Sequence, residues 1–521
     1  MGEAVLTKSD LQSFRQCPRK LWLEKHRPEL AEEQDSSSLR RARDGNDVGD
    51  VARKQLGPDI VWPRTEADVA LADAAAAALA LIGEAPDKPA VEFPAAHNGL
   101  YARADILLPT PAGYVVREVK ASTFPLKNDK ATPGNPEDHH VDDLAIQVAT
   151  LEGAGIKVAG AELGLLDNRW RYGGDGDYSK LFKPLDVTAV VNQRKAEVEK
   201  WLASANQMLA GEMPAAVTGK QCSEPHGCPF VEYCTPLDPP GEAHPIEMLP
   251  DSAGKNLAKK LRANYGYKSI LEPKPEELTG TNAALYQRIQ EAHRTGNAII
   301  VPGGADHMAA FTYPRYYFDF EGIDLPVPRW QGVRSYEQIP FQWSCHIERR
   351  EGVFEHGEFL DLNGGDPSVP CIQRMLEVID PSDGGPIFVY YATYERGRLQ
   401  ELAERHPEYA APIETYIKRL VDLLPIVRER FYHPAMRGSF SIKKVLPVIA
   451  PDLDYEALQG IQEGTGAQTA FLEAAFDQVS PERKREIEKS LRIYCRQDTW
   501  AMVEVAHFLA EKRRPPRPPG M

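Results

Sequence analysis

The chain has 521 residues, 42% of them hydrophobic and 26% charged, with a formal net charge of −15. That length suits about three domains, and the composition is that of an ordinary globular protein, not of a fibrous or low-complexity one. The acidic balance excludes a protein whose whole surface attracts polyanions, so a nucleic-acid partner would have to be met by local basic surface and bound cations.

In chain order, the first 240 residues read as helix, helix, strands, helix, strand, helix and a Cys-rich loop. The run VALADAAAAALALIGEA reads as an Ala-rich helix; interrupted by Asp73, it is too short and broken to span a bilayer, and no membrane partner is expected. VEFPAA, YARADILL and GYVVREVK have the β-branched or alternating pattern of strands, and DDLAIQVATLEGAG that of a helix ended by glycines. The Pro/Gly-rich LDPPGEAHPIEMLPDSAG marks a boundary, residues 255–300 read as helical with a break at LEPKPEEL, and VPGG at 301–304 marks a second boundary. Strands follow in YPRYYFDFEGIDLP, FQWSCHIER and PIFVYYA, then mostly helix through SLRIYCRQDTWAMVEVAHFLAEK. The tail RRPPRPPGM cannot continue a helix and is expected to be disordered. The domain plan is therefore 1–240, a helical linker module at 241–312, a third segment at 313–512 and a tail at 513–521.

Seven cysteines are too few and too uneven for a disulfide framework. The opening residues lack a secretory leader pattern, so a reducing, cytoplasmic setting is expected, where clustered cysteines are more often metal ligands. Cys17 stands near the start, and Cys222, Cys228 and Cys234 follow in KQCSEPHGCPFVEYC with five residues in each gap. Those gaps are wider than in zinc knuckles, and four thiolates satisfy either Zn²⁺ or a [4Fe–4S] cluster. Cys345, Cys371 and Cys495 have no partner by spacing and read as buried thiols.

Between the cysteines lies an acidic set. Asp105 closes YARAD; Glu118 and Lys120 alternate in REVK and share one strand face, roughly 6.6 Å apart at about 3.3 Å per residue. Carboxylates on neighbouring strands hold hard cations such as Mg²⁺ or Mn²⁺. A lysine beside them suits activation of water and compensation of phosphate charge, and Gln147 on the following helix can orient that lysine or a phosphate. A second set follows. Asp319 and Glu321 share one face of YYFDFEGID, Glu395 begins the helix after IFVYYATYE, and Tyr494 and Asp498 are four apart on one helical face, with Asp422 a further candidate. Such carboxylates could bind two metals, roughly 3.5–4 Å apart. Basic runs at Arg40, Arg41 and Arg43, at Lys255, Lys259, Lys260 and Arg262, and at Lys443–Lys444 read first as solvated faces.

The Asp of ARADIL, the ExK of REVK and the later Gln resemble the PD-(D/E)xK nuclease superfamily, and more closely its RecB-like branch, which includes CRISPR-associated iron–sulfur exonucleases. The resemblance covers about residues 6–236. It implies a restriction-endonuclease-like α/β core whose termini are fastened by a [4Fe–4S] cluster on Cys17, Cys222, Cys228 and Cys234, with Asp105 and Glu118 as metal ligands and Lys120 and Gln147 in catalysis. Gly49 stands where many members carry a metal-binding His, which leaves Glu92 or a nearby acid as a substitute. The ordered DxE, acid and YxxxD resemble DnaQ-like, RNase H-fold 3′–5′ exonucleases of the DEDDy subgroup, although Glu395 replaces the usual Asp. That resemblance implies metal ligation by Asp319, Glu321, Glu395 and Asp498, with Tyr494 near the attacking water. The whole resembles an uncharacterised bacterial family that fuses the two nucleases. Its implied function is metal-dependent DNA cleavage in repair, recombination or mobile-element defence, on single strands or free ends, with helicases or other repair proteins as partners. The alternatives are an RNA 3′–5′ exonuclease and a nucleic-acid-binding scaffold with one or both sites silent.

Overall fold

The computed structural model describes residues 5–33, 35–64, 69–127, 132–453, 464–515 and 517. The chain is mixed α/β. It divides into two compact units: Met1–Pro239 with Asp324–Glu337, and Pro240–Ile323 with Gln338–Met521. Among the described residues no helix is long and apolar enough to cross a membrane.

The first unit is built on a sheet of six strands: β1 (Leu6–Thr7), β2 (Ala90–His97), β3 (Leu100–Thr110), β4 (Gly113–Thr123), β5 (Val158–Leu166) and β6 (Phe182–Asp186). β2, β3 and β4 form an antiparallel meander. Its first turn is Asn98-Gly99, both with positive φ, which matches the twist of the strands it joins. β5 pairs parallel to β4, so the chain must cross over, and the helix Asp138–Gly153 makes that crossing. This helix is buried on nearly every side, which is why its apolar residues show little one-sided periodicity. The Ala-rich helix Leu71–Glu84 buries Ala74, Ala78 and Ile82, spaced by four, and packs against β2.

In the second unit, β7 (Ile299–Ile300) and β13 (Phe431–Tyr432) form a short antiparallel ribbon. The main sheet holds β8 (Arg315–Asp324), β9 (Gln338–Arg350), β10 (Val353–Leu360), β11 (Ile387–Val389) and β12 (Leu420–Asp422), in the order β10-β9-β8-β11-β12. β11 is parallel to both β8 and β12, and β10 is antiparallel to β9. Helices Asp251–Tyr265 and Ala283–Thr295 end at Gly266 and Gly296, each left-handed, as C-terminal helix glycines commonly are. The long helix Pro481–Leu509 packs on β9: Gln342 donates to the Leu491 carbonyl, and Ser344 and His346 meet the Thr499 hydroxyl. Of the tail expected to be disordered, residues 516 and 518–521 lie outside the described residues, while Arg514 pairs with Glu504 and Asp452.

Candidate functional site

In the second unit, β8 turns Phe318 and Phe320 into the core and leaves Asp319 and Glu321 on its other face. Ligand oxygens of Asp319, Glu321 and Asp498 lie within 4.8 Å of one another. With Tyr394, Tyr494, Lys443 and Gln468 they line a pocket of about 420 Å³. Glu395, in the first turn of the helix Thr393–Arg405, is 2% exposed and lies close enough to Asp319 that each perturbs the other. One oxygen of Glu395, Oε2, is buried without a hydrogen-bond partner. Burial, then the charge of Asp498, pushes the Glu321 carboxyl up to about 8; burial, then Asp422, pushes Glu395 to about 8. Asp319 is raised well above the usual range by burial and by Asp498, Glu321 and Glu395. These are acids held together against their own repulsion, the condition that a bound cation relieves.

Asp422 does not join them. Its two oxygens accept from the backbone N–H groups of Tyr391, Ala392 and Leu424, at 3.0, 2.9 and 2.9 Å. It caps the helix Leu423–Arg430 and fixes the turn that delivers Glu395. Asp422→Ala is therefore expected to cost about 2 kcal/mol by denaturant titration, because three backbone donors lose an ionised acceptor; a cost near zero would remove this role.

In the first unit, Asp105 lies within β3, five residues short of its end, and accepts from the Val119 N–H at 2.8 Å. Glu118, 2% exposed, is saturated: its Oε1 accepts from Lys120 at 2.7 Å and from Lys8 at 3.2 Å, and its Oε2 accepts from Gln147 at 2.6 Å. Asp143 completes the cluster, taking Lys120 at 2.5 Å, Lys8 at 2.8 Å and Gln147 at 3.0 Å. Burial, then Asp105 and Asp143, pushes the Glu118 carboxyl to about 7. Burial alone would raise Asp143 too, but Lys120 and Lys8 hold it well below the carboxylate range. Four expected residues thus come together, joined by two that sequence reasoning missed. Asp143 was legible, four residues before Gln147 on one helical face; Lys8, 110 residues from Glu118, carried no local signal. Glu92 stands apart, paired with Arg53 and Arg103.

Cys17, Cys222, Cys228 and Cys234 line one pocket with Leu23, Phe230 and Val231, and all four are half-buried and free. Gln16 ties the two ends, donating to the carbonyls of Gln221 and His226. The Gly219 N–H points at the Cys222 sulfur at 3.5 Å. Among the described residues, the ligand groups gathered within 4.8 Å are Asp319–Glu321–Asp498 and Glu137–His139–His140; the four sulfurs form no such group. The other three cysteines are buried, as expected. Arg40 does not lie on a solvated face as expected: it is buried and bonded to Asp44.

A family model described as a domain of unknown function (DUF2779) matches residues 316–441, a span that holds Asp319, Glu321, Glu395 and Asp422. An uncharacterized protein of Ureaplasma parvum serovar 3 is 25% identical over 234 residues, 40% of this chain and 33% of that protein. The chain thus spans about a third of the length of the curated relative it matches.

Proposed function

We propose that the chain is a metal-dependent DNA nuclease with two phosphodiesterase sites, a 3′–5′ exonuclease in the second unit and a PD-(D/E)xK nuclease in the first. The observation that carries the reading is the convergence of Asp319, Glu321 and Asp498 in one pocket, with Glu395 buried beside Asp319, the carboxyls of Asp319, Glu321 and Glu395 pushed up, and a buried oxygen of Glu395 left without a partner. The strand order β10-β9-β8-β11-β12, three strands and then two added on the other side of the first, supports an RNase H-like, DnaQ-type fold. The run of helix, antiparallel β2-β3-β4, crossing helix and parallel β5 supports a restriction-endonuclease-like core.

The donor set in the second unit fits Mg²⁺ or Mn²⁺, since hard cations take several carboxylate oxygens. Bound there, the cation would supply charge stabilisation of the phosphoryl group and a more acidic water. The chain's own groups do the rest. Asp319, Glu321 and Asp498, with Glu395 beside them, would hold the ion, Tyr494 in the same pocket would orient the attacking water, and Lys443 would meet the incoming phosphate. In the first unit the donors fit by type, but Glu118 must be released by Lys8 and Lys120 before it ligates. Lys120, freed from Glu118, is then the cation that meets developing phosphate charge. For the cysteines a single zinc ion would hold sulfurs roughly 3.8 Å apart, given bonds of about 2.3 Å. The gathering of all four thiols in one pocket fits a structural metal centre, and the five-residue gaps between the later three favour a [4Fe–4S] cluster.

Cation binding is tested by melting. Glu321 and Glu395 have folded values near 8, above an unfolded value of about 4.3. The stability they contribute is therefore complete below about pH 4 and lost as pH rises through about 8. In EDTA the protein should melt lower at about pH 9 than at about pH 6, and Mn²⁺ should raise Tm more at the higher pH. An equal Mn²⁺ shift at both values, or none, would refute a cation held by these carboxylates.

A further inference from the structure

Beside the acidic pocket of the second unit lies a larger groove of about 640 Å³. Tyr390 and Ile442 line both, so the two adjoin. The groove's wall carries three cations, Lys255, Arg428 and Arg437, against two acids, Glu247 and Asp251, together with Tyr391 and Phe440. Lys255 is exposed on the helix Asp251–Tyr265, with Lys259 one turn further along it and also exposed. Arg428 shares its charge with Asp251, whereas Arg437 donates to the carbonyl of Ala243 and, among the described residues, meets no carboxylate.

Tyr391 is the telling residue. Its side chain is 57% exposed, and its backbone sits at φ +76°, where a bulky side chain is strained. The Asp422 carboxylate holds it there through the Tyr391 N–H. An exposed aromatic kept in a strained conformation at the lip of a pocket calls for a use. The combination of an exposed ring, cations along the wall and an adjoining acidic pocket is what single-stranded nucleic acid requires: stacking for bases, charge for phosphates and a place for the end.

The geometry points to this groove as the track for single-stranded DNA upstream of its 3′ end, with a base stacked on Tyr391 and phosphates met by Lys255 and Arg437. The inference rests on the nuclease reading for what happens at the end of the track, but not for binding.

The test uses the full chain carrying Asp319→Asn, so that bound strands survive, and fluorescence anisotropy with 5′-labelled DNA of about 12 and about 3 nucleotides. Tyr391→Ala and Lys255→Ala should each lower the preference for the longer strand about tenfold, while Tyr391→Phe retains it. Lys255→Ala should also flatten the dependence of log Kd on log salt by about 0.7. Unchanged preference in both alanine variants, tighter binding of duplex, or equal binding of RNA with the same losses would each overturn the assignment. A wild-type chain that binds in this way but never cuts refutes the nuclease reading alone. A chain that cuts, and in which Tyr391→Ala changes nothing, refutes the groove alone.

Discussion

Asp319→Asn is expected to lower metal-dependent 3′-end trimming roughly 10³-fold while raising the melting temperature of the metal-free protein. The two effects have one cause. Asp319 faces Glu321, Glu395 and Asp498 in a buried site, and its carboxyl is pushed up by burial and by all three. An amide of the same size removes one source of repulsion, so the empty fold gains stability above about pH 8. The same change takes an anionic oxygen from the cation, which costs activity. A residue placed there for packing would lose stability on substitution. Trimming and melting measured on one preparation separate the cases: loss of activity together with lower stability would mean that the site is structural.

The second large effect concerns the cysteines. Cys17→Ser is expected to abolish bound iron, to remove the thermal transition of the first unit and with it any Asp105-dependent cut, and to leave Asp319-dependent trimming in place. Cys17 lies between the helices Lys8–Gln16 and Pro18–His26, and its three partners lie in a stretch with little regular structure of its own, a 3₁₀ turn and a four-residue helix. Such a segment is held by Gln16, by Glu32 through Pro229 and Glu232, by the buried Phe230, by Thr218–Asp238 and by whatever the sulfurs bind. Structural metal contributes an apparent ~10–16 kcal/mol in small zinc peptides, more than the stability of most domains. Iron and sulfide analysis with calorimetry reads the outcome. Cys345→Ser, in the second unit's core, should leave the iron untouched. Full iron content in Cys17→Ser, or parallel loss at both sites, would break the proposed asymmetry.

Local periodicity made much of this legible. The alternation of Asp319 and Glu321 follows from the two-residue repeat of β8, and Tyr494 and Asp498 share a face because the helix repeats near every four residues. The Glu-x-Lys of β4 and the Gln of the next helix were readable for the same reason. What was not readable depends on distance in sequence. Lys8 reaches Glu118 across 110 residues and Gln16 reaches His226 across 210, so no window of sequence contains either pair. Asp422 was seen as an acid but not as the holder of Tyr391, because three backbone donors leave no trace in residue type. The stretch Asp324–Glu337 reads as a continuation of the strand-rich half, yet it packs in the first unit, where Arg171 pairs with Glu337 and Tyr178 bonds to the Pro328 carbonyl.

The most direct test of two separate metal-dependent sites is product mapping on end-labelled single- and double-stranded DNA and RNA. Wild type is compared with Asp105→Ala, Asp319→Ala and the double variant, each with Mg²⁺ or Mn²⁺ and in EDTA. Wild type should give two classes of DNA product, each single variant should lose a different one, and the double variant should match EDTA. If neither single variant loses a product that wild type makes, or the double variant still cuts as wild type does, the sites are not where these carboxylates lie.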